Sequence, residues 1–216
     1  APAWLVADRQ LLANVEVPAG VRVVARDEFL ALAGQGEALD AQADPSSIAV
    51  QLFTSGTTGA PKAAVLRHEN LMSYILGTVE FAAAGEDEAT LVAVPPYHIA
   101  GISAVLSSTY AARRMVQLPN FDGQAWLELC RREGVTNAFV VPTMLARVIE
   151  YIDTTGAAAE LPTLRALAYG GGKMPAPVIE RAMQLWPHVD FTNAYGLTET
   201  SSTIALLDPD EHRTGF

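Results

Sequence analysis

The sequence predicts an α/β fold, a largely parallel sheet flanked by helices. Three observations predict it. Apolar runs of strand length alternate with segments of helical spacing between residues 71 and 192, the pattern of consecutive βαβ units. Half of the 216 residues are hydrophobic, enough for a substantial core in one large or two small domains. The stretches densest in polar chemistry, 95–101, 169–172 and 195–199, each follow a strand-like run. Ligands of parallel sheets sit at those carboxyl ends.

The elements follow in order. Trp4-Leu5-Val6-Ala7 and Val21-Arg22-Val23-Val24 read as strands, and residues 27–32 as a short helix. Residues 34–47 turn polar and acidic and read as a connecting loop. Residues 48–53 (Ile-Ala-Val-Gln-Leu-Phe) read as a buried strand. Residues 63–66 form a second apolar strand. Pro61 disfavours helix in the residue before it, so the stretch between is a loop. Residues 71–83 have helical spacing. Residues 90–94 are a strand ending at Pro95-Pro96, 102–112 a small, apolar, buried helix, and 115–118 a strand. Residues 121–133 form an amphipathic helix stopped by Gly134. Residues 137–141 are a strand closed by Pro142, 143–152 a helix, and 153–160 a small-residue linker. A strand over 164–168 runs into Tyr169-Gly170-Gly171-Gly172. A helix over 177–186 carries proline in its first turn. Residues 189–192 form the last strand. The division expected is a partial N-terminal segment and loop over 1–46, then one α/β unit over 47–216.

Composition narrows the function. A net charge of −10 argues against general nucleic-acid binding. No apolar run approaches the roughly 20 residues of a membrane span, and no signal-peptide pattern opens the chain. The single cysteine, Cys130, excludes an internal disulfide and fits a reducing, cytoplasmic setting. It lies in an apolar helical stretch and reads as a core residue, not a nucleophile. His68, His188 and His212 have no metal-ligand spacing, so zinc is not expected.

The densest chemistry is Thr54-Ser55-Gly56-Thr57-Thr58-Gly59-Ala60-Pro61-Lys62. Glycines let a backbone approach a ligand closely, and consecutive N–H groups in such a turn form an anion nest. The hydroxyls of Thr54, Ser55, Thr57 and Thr58 add short donors, and Lys62 adds a point charge. That chemistry suits a polyphosphate. An ordinary Gly/Ser/Thr turn is the plain alternative, which the strand before it and the lysine after it disfavour. The spacing is not that of a Walker A loop, so kinase or GTPase chemistry is not indicated. Tyr195-Gly196-Leu197-Thr198-Glu199 sets a hydroxyl beside a carboxylate, hard oxygens of the kind that hold magnesium against a phosphate. Tyr169-Gly170-Gly171-Gly172 offers flat backbone to a base or ribose, though three glycines are more often only a loop. Pro95-Pro96-Tyr97-His98-Ile99-Ala100-Gly101 puts an aromatic pair after a strand.

These motifs, in this order from about residue 48 to 207, resemble those of the adenylate-forming superfamily of acyl- and aryl-CoA ligases, luciferases and peptide-synthetase adenylation domains. The resemblance implies that the fold is part of the N-terminal domain of such an enzyme. It implies activation of a carboxylic acid, fatty or aryl, by ATP to an acyl-adenylate, then thioester formation with coenzyme A. It assigns Thr54, Ser55, Gly56, Thr57, Thr58, Gly59 and Lys62 to the phosphates, and Thr198 and Glu199 to phosphate and Mg2+. Gly170, Gly171, Asn193 and Tyr195 border the nucleotide. His98, Gly101 and Tyr169 border the acyl group. Lys62, Thr198, Glu199 and His98 are the catalytic set. His98 stands where peptide-synthetase domains carry an aspartate pattern, which favours an acid without an α-amino group. The family's catalytic lysine belongs to a C-terminal domain beyond these motifs, so residues 1–216 alone are expected to be inactive. Two alternatives remain: transfer of the acyl group to a carrier protein, and a non-catalytic nucleotide-binding module.

Overall fold

The structure, a computed structural model, describes residues 4–32, 34–36, 43–54 and 62–214. Its chain divides into two units, residues 1–42 and 43–216. In the first, β1 (Trp4–Ala7) pairs in parallel with β2 (Arg22–Ala25). The helix α1 (Arg9–Leu12) was not anticipated; α2 (Arg26–Ala31) matches the expected short helix within a residue.

The second unit opens with an antiparallel hairpin, β3 (Ile48–Thr54) and β4 (Lys62–Arg67). Then follow α3 (His68–Thr78), β5 (Ala89–Val92), α4 (Ile99–Tyr110), β6 (Arg114–Gln117), α5 (Gly123–Arg132) and β7 (Asn137–Val140). After these come α6 (Pro142–Thr155), β8 (Ala166–Gly170), α7 (Ala176–Leu185) and β9 (Asp190–Leu197). A one-turn 3-10 helix (Thr198–Thr200), β10 (Ser202–Leu207) and α8 (Pro209–Thr214) complete the described order. The six-stranded sheet runs β10-β9-β8-β7-β5-β6, with β5 to β9 parallel and β10 antiparallel at the edge. The expected α/β class, a largely parallel sheet flanked by helices, is therefore the observed one. Among the described residues no helix is long and apolar enough to cross a membrane.

The main core lies between the sheet and α5, α6 and α7. Leu91, Val140, Leu167, Tyr169 and Phe191 of the strands meet Leu127, Leu145 and Ile179 of the helices. Trp126 and Trp186 are fully buried there, with ring centroids 6.3 Å apart. The helices obey local rules: Asp122 caps α5 by accepting from the Ala125 N–H at 2.9 Å. Pro142 starts α6 and Gly156, at φ 67°, ends it in the left-handed region. Cys130 sits in this core, and burial pushes its thiol pKa up, which agrees with a packing role. On the other side of the sheet, Leu52, Leu66 and Leu71 form a smaller cluster with Ile99, Ile102 and Leu106, seating the hairpin against α3 and α4.

Several expectations are corrected. The strand over 48–53 is not buried: only Leu52 is, and Phe53 is 73% exposed. A two-stranded ribbon covers one face at most, so its continuous apolar run does not mark an interior strand. The helix expected over 71–83 ends at Thr78, where Val79 turns extended. Residues 153–155 belong to α6, not to a linker. The strand expected to stop at residue 192 continues to Leu197, so Tyr195 and Gly196 lie in a strand, not in a turn.

Candidate active site

Thr54 and Lys62 are opposite partners in the hairpin, with the Thr54 hydroxyl 3.4 Å from the Lys62 carbonyl. Ser55, Gly56, Thr57, Thr58 and Gly59 lie outside the described residues. Lys62 itself is exposed at the start of β4.

Thr198 and Glu199 sit on the 3-10 turn that joins β9 to β10. Thr200 closes that turn: its hydroxyl accepts from the Leu197 N–H at 2.9 Å and lies 2.9 Å from the Leu197 and Ser202 carbonyls, to one of which it donates. Ser201 and Ser202 follow at φ 58° and 99°. Side chains rarely adopt such backbone, and in folded proteins it clusters at functional turns. Gly196 shows why the strand can pass here: a Cβ would lie 1.7 Å from the Ser202 carbonyl oxygen. The turn packs against β4, so the structure brings the Thr198–Glu199 pair beside the strand that begins with Lys62. Glu199 is exposed, and with Ser73 and Thr78 of α3 it lines a groove.

The other expected residues gather along the carboxyl edge of the sheet. Gly170 ends β8 buried, where a Cβ would lie 2.3 Å from the Ala194 carbonyl oxygen. Gly171 turns the chain at φ 77°. Asn193 pairs in register with Tyr169, and Tyr195 is 61% exposed. His98 caps α4 after β5, exposed, its ring centroid 4.9 Å from that of Tyr97. Gly101 has a packing reason: its Cβ would meet the Pro95 carbonyl oxygen at 2.3 Å, so only glycine lets α4 start so close to the end of β5.

Tyr169 is placed differently from the expectation. Its ring is fully buried in the core with Leu167, on the face turned away from α4. Its hydroxyl lies 2.9 Å from His212 Nε2. His212 Nδ1 lies 2.7 Å from the Asp208 carbonyl and so donates to it; in the neutral ring the tyrosine then donates to Nε2. Strand parity could have revealed this, because residues 167 and 169 share a face.

On the opposite face is a cavity of about 290 Å³. Its floor is Asn137 and Phe139 of β7, Ala166 and Ala168 of β8, and Thr192 and Ala194 of β9, and α4 roofs it. Sequence motifs did not point to its polar lining residues, among them Thr90, Ser103, Asn137 and Thr192. Thr90 and Ser103 are buried, and neither hydroxyl has a hydrogen-bond partner among the described residues.

The donor chemistry also bears on a metal. Among the described residues no three His, Cys, Asp or Glu side chains gather as a cage. A lone exposed carboxylate beside a threonine fits an ion such as magnesium, which keeps waters and takes its other ligands from substrate phosphates.

A parallel sheet with a glycine turn after β8 and a carboxylate turn after β9 places the chain in the class of α/β domains with a ligand cleft at the strand ends. More particularly, the chain belongs to the AMP-binding enzyme family, whose model matches residues 4–215. The 2-succinylbenzoate–CoA ligase of Geobacillus sp. (strain WCH70) is 30% identical over 207 residues, covering 96% of this chain and 41% of that protein. A fatty acid–[acyl-carrier-protein] ligase, ScoC of Streptomyces coeruleorubidus, is 32% identical over 178 residues, or 79% of this chain and 33% of that protein. The solved o-succinylbenzoate CoA synthetase of Bacillus subtilis, in complex with its acyl-adenylate intermediate, matches with TM-score 0.78 and 26% identity over 99% of this chain and 42% of that one. The same synthetase solved with ATP and a magnesium ion matches with TM-score 0.73 and 25% identity, over 97% and 42% of the two chains. The chain thus spans less than half the length of these relatives.

Proposed function

We propose that the full-length protein activates a carboxylic acid with ATP and passes the acyl group to coenzyme A. The carboxylate attacks the α-phosphorus, pyrophosphate leaves, and the acyl-adenylate then yields AMP to the attacking thiol. The observation that carries this reading is the packing of the Thr198–Glu199 turn against β4, which begins at Lys62. That packing supports a shared role for the two motifs with phosphate and metal chemistry.

Each residue has a part. Thr54, the loop over 55–59 and Lys62 hold the phosphates, and Thr198 adds a hydroxyl. Such fixed donors stabilise charge as it moves onto the leaving pyrophosphate. Glu199 holds magnesium together with the phosphates, and the ion's charge offsets the charge developing on them. Gly170, Gly171, Asn193 and Tyr195 border the nucleotide. His98 and Gly101 flank the entry of the acyl group.

Carboxylate-dependent ATP–pyrophosphate exchange by the full-length protein, across a panel of acids, tests this. Lys62→Ala and Glu199→Gln are each expected to lower exchange by about 100-fold or more, the scale of losing one stabiliser of developing charge. Failure of every acid to support exchange overturns the reading and leaves a non-catalytic nucleotide-binding module; exchange indifferent to both substitutions removes Lys62 and Glu199 from the site. The similarity to ScoC supports a second acceptor, a carrier protein. Thioester formation with free coenzyme A against formation only on a carrier's thiol separates the two.

A further inference from the structure

The helix α8 is short, yet it is fastened to two strands of the site. It follows β10 with only Asp208 between them, and β10 begins at Ser202, just past the 3-10 turn that carries Thr198 and Glu199. A reciprocal cap starts the helix: the Glu211 N–H donates to Asp208 Oδ1 at 2.8 Å, and the Asp208 N–H to Glu211 Oε2 at 3.0 Å. His212 Nδ1 donates to the Asp208 carbonyl at 2.7 Å, which fixes the ring on its own helix. Its Nε2 receives the Tyr169 hydroxyl at 2.9 Å, with the two rings perpendicular and both residues buried. Burial raises the pKa of this phenol, which keeps it protonated and able to donate. One residue on, Arg213 bonds to Asp190 at the start of β9. α8 is thus held at the last residue but one of β8 and at the first residue of β9.

What lies beside Tyr169 gives this fastening its meaning. The next residue is Gly170, where a Cβ would lie 2.3 Å from the Ala194 carbonyl oxygen, so the two backbones touch without slack. Tyr169 pairs in register with Asn193, and Gly170 with Ala194. Strand parity puts Asn193 and Tyr195 on the face of Phe191, which is the face of Tyr169 and His212. Thr192 and Ala194 face the cavity on the other side. The β9 residues assigned to the nucleotide therefore share the His212 side of the sheet. A close-packed interior passes a displacement from neighbour to neighbour. Loss of the imidazole acceptor leaves a buried hydroxyl unpaired, and a Tyr169 that moves to relieve it moves Gly170 and Asn193 with it.

We propose that His212 is a positioning residue for the nucleotide: through the Tyr169 hydroxyl it holds Gly170, Gly171 and Asn193 in the register that receives ATP. It touches neither the nucleotide nor the acid. This rests on the ligase reading, which assigns those three residues to the nucleotide, and it gives the buried Tyr169–His212 pair a part in that reading.

The test uses the full-length protein. The rise in melting temperature on adding ATP without acid reads nucleotide binding, and ATP–pyrophosphate exchange gives KM for ATP and for the acid. Tyr169→Phe removes a single oxygen atom, and His212→Leu removes the acceptor. Each is expected to raise the KM for ATP about three- to tenfold, the scale of one hydrogen bond, with kcat and the KM for the acid within about twofold of the parent's. His212→Gln, whose amide oxygen accepts from the phenol, is expected to return the KM for ATP close to the parent's. The double variant Tyr169→Phe, His212→Leu is expected to be no worse for ATP than the worse single variant, because both break the same bond. A lowered melting temperature with an unchanged KM for ATP makes the pair structural only and overturns the proposal. An equal rise in the KM for the acid overturns it too, as does a double variant whose loss is the product of the two single losses. If no acid supports exchange, the ligase reading falls alone, and the ATP-induced shift in the same variants still decides the role of His212. Absence of that shift in the parent protein overturns both.

Discussion

The two faces of the six-stranded sheet are built from the same strands and serve opposite ends. In β8 the sequence Ala166-Leu167-Ala168-Tyr169-Gly170 alternates small and large. Leu167 and Tyr169 go to the core under α5, α6 and α7, while Ala166 and Ala168 floor the cavity under α4. In β9, Phe191 goes to the core and Thr192 and Ala194 to the cavity. In β5, Leu91 is core and Thr90 is cavity wall. One face is packed to exclusion; the other is kept unfilled by residues too small to meet across the gap. The period-two geometry of a strand thus lets one segment encode stability and ligand space independently.

If that division holds, the two faces should answer substitution differently. The largest effect is expected from Leu167→Ala, which empties a fully buried site and should cost about 2–5 kcal/mol in chemical denaturation. A loss below about 1 kcal/mol would mean that this face is less tightly packed than its burial indicates. Next comes Tyr169→Phe, which keeps the ring and removes the bond to His212. It should cost about 0.5–1.5 kcal/mol of stability. A strong loss of acid binding instead would restore Tyr169 to the acyl site.

A smaller effect concerns Glu88 at the rim of the cavity face. Burial raises its pKa, but the hydrogen bond and charge of Arg113, with the Gly85 N–H, outweigh it and hold the carboxyl below the ordinary range. A folded pKa below the unfolded value, ordinarily about 4.3, stabilises the protein above that pH. The contribution is lost as pH falls through the folded value. Glu88→Gln should therefore cost up to about 1 kcal/mol at pH 7 and progressively less as pH falls through the folded value. A cost independent of pH would show that the carboxylate's charge is not what matters. Smallest in stability is Ala168→Leu, which fills space without displacing packed neighbours and should shift stability by less than about 1 kcal/mol. Even so, it should change which acids of the panel support ATP–pyrophosphate exchange. A core-sized penalty would show that the cavity face is as tightly packed as its opposite.

Much of this architecture was legible because parallel βα units repeat their signals. Strands β5, β6 and β7 and helices α5 and α7 stand within about two residues of where apolar runs, Pro142 and Gly134 placed them. The two strands either side of residues 55–61 were legible as apolar runs. What was not legible depended on contacts between distant segments. Gly196 reads locally as a turn, yet it sits in a strand because Ser202 of β10 approaches where a side chain would be. The edge strand β10 begins with Ser202 and Thr203 and shifts register between Thr203 and Ala205, which hides its pattern. Thr90 and Ser103 carry no motif; that their hydroxyls are buried without partners is visible only in the fold.

The paired indoles of Trp126 and Trp186 give the two faces separate optical signatures. Both are sealed in the core face, none of the described cavity-lining residues is a tryptophan, and Trp4 of the other unit is half exposed. Loss of the core face should therefore red-shift the intrinsic emission, while filling the cavity should leave the spectrum in place. Fluorescence and ligand-induced melting shifts together can then report, without any label, which side of the sheet a perturbation has reached.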